Sequence, residues 1–372
     1  MAEDKREEIQ DQALQEIIKH NRCTTAISMR VGKCLIGLRR LDLLYQQNNQ
    51  IRILIVAPKV AIQKSWKDDA KKFGLEHLLP NIKFTTYRSL NLKKQTLEYD
   101  IVILDECHSL LVTNVAWLSS FSGMILGLTG TPPKYETSFR ARLIKTYCPI
   151  VFEYMTNDAV EDHILNDYRV IVHLVPISSE KNIPVKKKDG GIFYTSEQNS
   201  YNYWTEKVNE ADSMAAKQKA SIMRMKVMQE FRSKVNYAKR HLQQIDQKCL
   251  VFANTQEQAD QLCQYSYHSK NKDSIKNLEL FNTDQIEKMA CVAQLSEGIT
   301  IPGLAMVLIL HSYSNEKNLA QRLARALSLK PDEVATIHIL AYKDTCDANV
   351  WVPSALENFD SSKIRYVEFN CN

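Results

Sequence analysis

Ile101-Val102-Ile103-Leu104 is a continuous apolar run, mostly β-branched, that stops at two adjacent carboxylates, Asp105 and Glu106, followed by Cys107 and His108. A strand that is apolar on both faces must be covered on both faces, the condition of an inner strand in a parallel sheet flanked by helices. Ile51 to Ala57 repeats the pattern, and the amphipathic stretch Ile62 to Phe73 lies between the two. This alternation predicts a doubly wound α/β sheet. Ligands of such sheets sit beyond the carboxyl ends of the strands, so a strand that ends in paired carboxylates marks a candidate site.

A second alternation begins near residue 249. Cys249 to Ala253, Met289 to Leu295, Met306 to Leu310 and Thr336 to Leu340 all read as strands. At 372 residues the chain suits two domains rather than one. The division is expected near residue 155, giving domains 1–155 and 156–372. Residues 151–180 read as a short helix and then the strand Val170 to Ile177. Lys181 to Gly191 reads as a turn-rich basic loop, and helices follow to about Gln247, so that 181–247 forms a helical, basic insertion. No apolar run approaches the roughly 20 residues of a membrane helix. The charged segment Met1 to Glu8 has no apolar core of a signal peptide. Nine cysteines without a CxxC pair argue for reduced thiols rather than a disulfide framework or a zinc ribbon, and a cytoplasmic location is expected. A net charge of +5 permits a polyanionic partner without requiring one.

Ser28-Met29-Arg30-Val31-Gly32-Lys33-Cys34 follows an apolar stretch and opens the helical pattern Leu35 to Tyr45. A loop that feeds a helix N-terminus offers free N–H groups and the positive end of the helix dipole to an anion. Lys33 adds a mobile cation for phosphates. Taken alone, a Gly-Lys pair suits an ordinary helix start better than a phosphate loop, and Asp105-Glu106 also suits helix-capping acids. A phosphate loop followed about 70 residues later by a strand-end acidic pair favours a nucleotide site. In such a site one carboxylate holds Mg²⁺ through its waters and the other orients or deprotonates the attacking water.

The chain resembles the superfamily-two DExH helicases from about Arg6 to about Trp351. Asp105-Glu106-Cys107-His108 is similar to the DEAH box, and Gln10 resembles the adenine-reading glutamine upstream of the phosphate loop. Ala57-Pro58-Lys59 and Thr86-Tyr87-Arg88-Ser89 look like the pair of motifs that touch the nucleic-acid backbone. Leu128-Thr129-Gly130-Thr131-Pro132 resembles the motif that couples nucleotide state to strand binding. In the second half, Leu250 to Thr255 resembles the strand-turn that opens the second domain. Glu297-Gly298-Ile299-Thr300-Ile301-Pro302 resembles the EGxDxP motif, and Gln321-Arg322-Leu323-Ala324-Arg325 the QxxGR arginine-finger helix. His268-Ser269-Lys270 sits where the family has a second-domain strand contact.

The resemblance implies two tandem RecA-like domains with parallel sheets, and ATP-dependent DNA helicase or translocase activity with ATP and Mg²⁺. Arg30, Gly32, Lys33, Cys34 and Gln10 are implied to bind ATP, and Asp105 to hold Mg²⁺ through water. Glu106, Gln321 and Arg325 are the implied catalytic residues, and His108, Thr129 and Thr131 the implied coupling residues. Pro58, Lys59, Tyr87, Arg88, Asn254, Thr255, His268 and Ser269 are implied to contact DNA, single-stranded or branched. The compact size and the phrase His311-Ser-Tyr-Ser-Asn-Glu-Lys-Asn look most like bacteriophage-encoded helicases of the branch-migration type, which would place the protein in an infected bacterial cell.

Four positions depart from the family pattern. Cys34 replaces the threonine or serine whose hydroxyl meets Mg²⁺, and sulfur is a soft ligand for a hard ion. Thr300 replaces an aspartate, Ala324 a glycine, and Ser328 an arginine. Two alternatives therefore stand beside the motor: a nucleotide-regulated nucleic-acid-binding scaffold with little ATPase, and the motor subunit of a restriction-type complex. Lys181 to Lys188 and Lys234 to His241 are the densest basic segments and suit either a phosphate track or a solvated face. Tyr201, Tyr203 and Trp204 suit either base stacking or packing between helices. His163 and His338 lack metal-ligand spacing and read as structural.

Overall fold

A computed structural model describes residues 2–60, 62–92, 98–133, 136–186, 190–292, 301–311, 327, 332–357 and 359–368. The chain forms two compact units that divide between Asp167 and Tyr168, so the helix Thr156–Glu161 belongs with the first.

The first unit is a six-stranded sheet of β1 (Arg22–Ile27), β2 (Ile53–Ala57), β3 (Ile82–Thr86), β4 (Ile101–Asp105), β5 (Met124–Thr129) and β6 (Ile150–Tyr154), in the order β3-β2-β4-β5-β1-β6. Every pairing is parallel. β2 and β4 are buried at every residue, as their unbroken apolar sequences require. Helices α1 (Ala2–Ile17), α2 (Lys33–Gln47) and α3 (Ile62–Lys72) belong to this unit. α2 buries Ile36, Leu38, Leu41 and Leu44, and α3 buries Trp66 and Ala70, both at helical spacing. Where β1 and β5 lie side by side, Gly127 is the residue that lets them approach: a Cβ there would come within 2.1 Å of Thr24 Oγ1.

The second unit is a seven-stranded sheet of β7 (Asp167–Val175), β10 (Cys249–Phe252), β11 (Ser266–Tyr267), β12 (Lys288–Cys291), β13 (Met306–Ile309), β14 (Val334–Tyr342) and β15 (Ile364–Glu368), in the order β11-β12-β10-β13-β14-β7-β15. The four strands expected here are all present; β14 is longer than anticipated, and residues 293–295 of the expected strand Met289 to Leu295 lie outside the described residues. Between β7 and β10 come a hairpin and the helices Glu197–Asn209, Met214–Glu230 and Arg232–Gln243.

Lys181 to Gly191 is not a plain loop. β8 (Ile183–Lys186) pairs antiparallel with β9 (Ile192–Thr195), and Gly190 near the turn has φ +88°. The alternation of Ile183, Pro184, Val185 and Lys186 is a strand pattern that the lysines obscured. The basic reading of Lys234 to His241 also needs correction. Lys234 is fully buried, ion-paired with the equally buried Asp347 and donating to the Leu310 carbonyl at 3.1 Å. It is a core residue of the helix Arg232–Gln243 whose charge is neutralised internally. Tyr201 packs in a cluster with Met228, Phe231 and Tyr342, whereas Tyr203 remains half exposed. No described helix is long and apolar enough to cross a membrane.

Candidate nucleotide site

Because the first sheet is parallel, the loops after β1, β2, β3, β4 and β5 all leave from one edge, and apart from Gln10 on α1 the sequence-predicted residues of this unit lie on or beside them. The loop after β1 carries Arg30 at φ +69° and Gly32 at φ +122°, and Gly32 N-caps α2. Gly32 meets two demands here. Its backbone conformation disfavours an L side chain, and a Cβ would lie 2.5 Å from Gln10 Nε2. Gln10, buried on α1, donates from that nitrogen to the Val31 carbonyl at 2.5 Å and so braces the loop from behind. Burial lowers the Arg30 guanidinium pKa.

Lys33, the first residue of α2, reaches Glu106 on the loop after β4, with Nζ 2.6 Å from Oε1. Glu106 holds a left-handed backbone conformation, φ 51° and ψ 55°. Two of the five described non-glycine residues with positive φ, Arg30 and Glu106, thus sit in these two facing loops. Such conformations cost roughly 1–3 kcal/mol each and cluster at functional sites. Burial works against the Lys33 ammonium, but the Glu106 and Asp105 carboxylates outweigh it and hold its pKa above the ordinary lysine value.

Asp105 ends β4. Its Oδ2 accepts from the indole Nε1 of Trp66 at 2.8 Å, and its backbone carbonyl accepts from the Tyr87 hydroxyl at 2.8 Å. Burial, reinforced by the Glu106 carboxylate and opposed by Lys33, pushes the Asp105 carboxyl up to about 6. The buried Asp105 carboxylate and the partly buried Glu106 carboxylate beside one ammonium leave an excess of negative charge. That donor set fits a hard divalent cation, which would relieve the repulsion between them. Cys34 does not extend the set. Burial and the nearby Asp105 and Asp69 hold its thiol well above the ordinary range, so it stays protonated, and it bonds with Asp69.

Behind the carboxylates, His108 Nδ1 lies 2.7 Å from Thr129 Oγ1, 3.2 Å from Thr131 Oγ1 and 3.4 Å from Glu106 Oε2. Thr129 Oγ1 also accepts from the Thr131 amide at 3.2 Å. The imidazole therefore connects the β5 loop to the carboxylate pair. Gly130, between the two threonines, keeps room for the lysine: a Cβ there would lie 3.0 Å from Lys33 Nζ.

The expected nucleic-acid contacts divide by exposure. Lys59 and Arg88 are exposed at the same sheet edge, and Pro58 is partly exposed. Tyr87 is a correction: it is 3 % exposed, with its hydroxyl committed to the Asp105 carbonyl, so it supports the carboxylate strand. In the second unit Asn254 and Thr255 are partly exposed, and Thr255 caps the helix Gln256–Leu262 by accepting from the Gln258 amide. His268 is a second correction, being 4 % exposed with Nε2 2.8 Å from Asp260 Oδ1. Ser269 beside it is exposed and accepts from Gln256 Nε2 at 3.0 Å. Gln321 and Arg325, like the departures at Thr300, Ala324 and Ser328, lie outside the described residues. Sequence reasoning missed Trp66 and Asp69. Both face inward on an amphipathic helix that was recognised, but periodicity does not say which neighbour an inward side chain meets.

Comparison with known proteins supports the fold. Residues 4–134 match the family described as Type III restriction enzyme, res subunit, and residues 233–330 match the helicase conserved C-terminal domain. The chain is 21 % identical over 370 residues to the DNA 3′-5′ translocase XPB2 of Sulfurisphaera tokodaii, covering 91 % of this chain and 82 % of that protein. Its fold is similar to the ATP-dependent Type ISP restriction-modification enzyme LlaBIII bound to DNA, with TM-score 0.61 and 13 % identity over 98 % of this chain and 31 % of that one. It is also similar to the Mycobacterium smegmatis helicase Lhr bound to ssDNA and AMP-PNP, with TM-score 0.51 and 14 % identity over 89 % of this chain and 45 % of that one. The chain thus spans less than half the length of these two solved structures. The two family matches fall one on each α/β unit, in chain order, and with the translocase likeness they make the chain similar to superfamily-two helicases.

Proposed function

We propose that the protein couples ATP hydrolysis to movement on, or remodelling of, DNA. The observation that carries the proposal is the Lys33–Glu106 pair, in which the first lysine of a phosphate-loop helix meets the second carboxylate beyond β4. The loop amides and Lys33 hold the phosphates, and Arg30 and Gln10 belong to the same nucleotide-binding set. Asp105 is the residue that holds Mg²⁺, through water; when bound, the ion neutralises charge developing on the phosphate oxygens. Glu106 orients the attacking water and accepts its proton. When phosphate draws Lys33 away, the Glu106 carboxylate is released for that task. His108 senses the change at Glu106 and relays it to Thr129 and Thr131. From the sequence, Arg325 and Gln321 supply the positive charge and polar contacts that stabilise the γ-phosphate as it leaves.

DNA is the favoured polymer because the translocase and the restriction enzyme it resembles are named for acting on DNA or carrying it. Lys59 and Arg88 would contact the phosphate backbone in the first unit, and Ser269, Asn254 and Thr255 would do so in the second. Action on branched DNA, of the bacteriophage branch-migration type and in the cytoplasm of an infected bacterium, is the narrower reading. It rests on the phrase from His311 to Asn318. The decisive assay is ATP-driven displacement of a triplex-forming strand from duplex DNA, beside unwinding of forked and four-way junctions. Displacement that requires hydrolysable ATP supports a translocase. ATP and DNA binding without displacement or turnover would instead favour the nucleotide-regulated scaffold, to which the Cys34 thiol points. Movement only in the presence of a co-purifying subunit would favour the restriction-type motor, to which the match over residues 4–134 points.

A further inference from the structure

The second unit holds a cluster that the nucleotide site does not use. His173 on β7, His338 on the adjacent β14 and His241 on the helix Arg232–Gln243 turn one ring nitrogen each toward a common point, and these atoms all lie within 4.8 Å of one another. His338 Nδ1 is 2.8 Å from His173 Nε2 and 3.2 Å from His241 Nε2. His173 and His338 are buried, while His241 is partly exposed.

Hydrogen bonding alone serves this arrangement poorly. A neutral imidazole nitrogen carries either one in-plane lone pair or one proton. His338 Nδ1 can therefore bond well with only one of the two nitrogens that face it, whichever tautomer it adopts. A cation at the shared centre would satisfy all three lone pairs at once. Tetrahedral Zn²⁺ with Zn–N bonds of 2.0–2.1 Å places its nitrogens about 3.3 Å apart, close to the two separations from His338 Nδ1, while the third pair lies within 4.8 Å.

We propose that His173, His241 and His338 form a three-histidine site for Zn²⁺ or a similar borderline transition-metal ion that ties β7, β14 and the helix Arg232–Gln243 together. Three imidazoles without a carboxylate or thiolate select against Mg²⁺ and Ca²⁺. Tyr237 supplies an outer contact, its hydroxyl 2.7 Å from His173 Nδ1, which fixes that ring and directs Nε2 toward the ion. Burial keeps His173 and His338 neutral, with pKa values lowered to about 4 and about 3, so no proton must leave before coordination. Each ring keeps its single proton on the nitrogen that faces away from the ion. The Arg169 guanidinium adds positive potential at His338 and so opposes any cation there; it helps keep that ring neutral but limits affinity. His241, on the exposed side, offers the entry path. The sequence hides the site because its ligands come from residues 173, 241 and 338, far apart in the chain.

The test is titration of the chelator-stripped full-length chain with Co²⁺ and then Zn²⁺. The proposal expects one equivalent of Co²⁺ with the intense visible bands of a four-coordinate site and no thiolate charge-transfer band from the cysteines. Zn²⁺ should displace it and raise the thermal midpoint. His241→Gln, at a partly exposed position, should keep the wild-type circular dichroism, lose the bands and weaken binding by on the order of tenfold or more. A weak six-coordinate spectrum in the wild type would overturn the proposal, leaving a hydrogen-bonded histidine cluster. So would bands that persist unchanged in His241→Gln. Because the wild-type spectrum alone decides the first point, a variant that fails to fold does not remove the test.

Discussion

Lys33 Nζ and Glu106 Oε1 lie 2.6 Å apart across the two loops that leave β1 and β4, so the cation expected to grip phosphate rests on the carboxylate expected to activate water. The pair is mostly withdrawn from solvent, with side-chain exposures of 11 % and 16 %, and the Glu106 carboxylate helps hold the Lys33 ammonium charged. In this arrangement Glu106 offsets the charge of Lys33, and phosphate binding exchanges one anionic partner of Lys33 for another.

Replacing Glu106 by Gln keeps the size of the side chain but removes the base. Steady-state ATP turnover should fall by about 10²- to 10⁴-fold, the usual contribution of a general base. Nucleotide affinity, measured with a fluorescent analogue, should hold or rise, because Lys33 loses its competing carboxylate. Turnover within a factor of two of wild type would remove Glu106 from the chemistry.

Asp105 makes the fold pH-sensitive in a predictable direction. Its folded-state pKa of about 6 lies above the ordinary 3.8, so between these values the native chain binds more protons than the unfolded one. Stability therefore falls as pH rises through this window, and the full cost of the buried charge is present above it. In chelator, without nucleotide, Asp105→Asn should be more stable than wild type at pH 7.5 by at most about 3 kcal/mol. The difference should vanish near pH 4. The Trp66 indole keeps an acceptor in the variant. Denaturant melts at the two pH values check both points, and an equal difference at both would contradict the burial account.

Cys34→Thr exchanges a soft, protonated thiol for a hydroxyl at the start of α2. The Mg²⁺ concentration for half-maximal activity should fall by about tenfold, since hard ions prefer oxygen. In wild type Mn²⁺ should support turnover better than Mg²⁺, and that preference should shrink in the variant. The native thiol should also resist alkylation at neutral pH, because burial keeps the thiolate scarce.

Lys234→Ala tests a residue that the sequence places on a basic surface and the structure places in the core. Removing it leaves Asp347 buried without its partner, which should cost about 3–5 kcal/mol. Lys234→Met together with Asp347→Leu should recover most of that loss in thermal melts. A loss below about 0.5 kcal/mol for Lys234→Ala, the range of ordinary surface changes, would restore the surface reading.

That contrast shows which parts of the molecule a sequence discloses. β2 and β4 were legible because burial on both faces leaves an unbroken apolar run, and the carboxylates at Asp105 and Glu106 mark where β4 ends. Gly32 and Lys33 stood out because a loop that feeds a helix N-terminus suits an anion, and Thr129 through the family resemblance; the structure sets Lys33 against Glu106 and Thr129 against His108. Lys234, His268 and Tyr87 misled because polarity says nothing about depth: each is buried against a partner more than five residues away in the chain. The strands β8 and β9 were masked by the lysine-rich sequence around β8, Lys181 to Lys188. The histidine cluster had no signal in the sequence, since only the sheet order brings His173 beside His338.

The central claim is that nucleotide chemistry at Lys33 drives work on DNA. The most direct test is steady-state ATP hydrolysis with Mg²⁺, with and without single-stranded and forked DNA, for wild type and Lys33→Ala. The account predicts hydrolysis that DNA stimulates and that Lys33→Ala abolishes. Turnover in wild type no higher than in Lys33→Ala, despite measurable ATP and DNA binding, would contradict it.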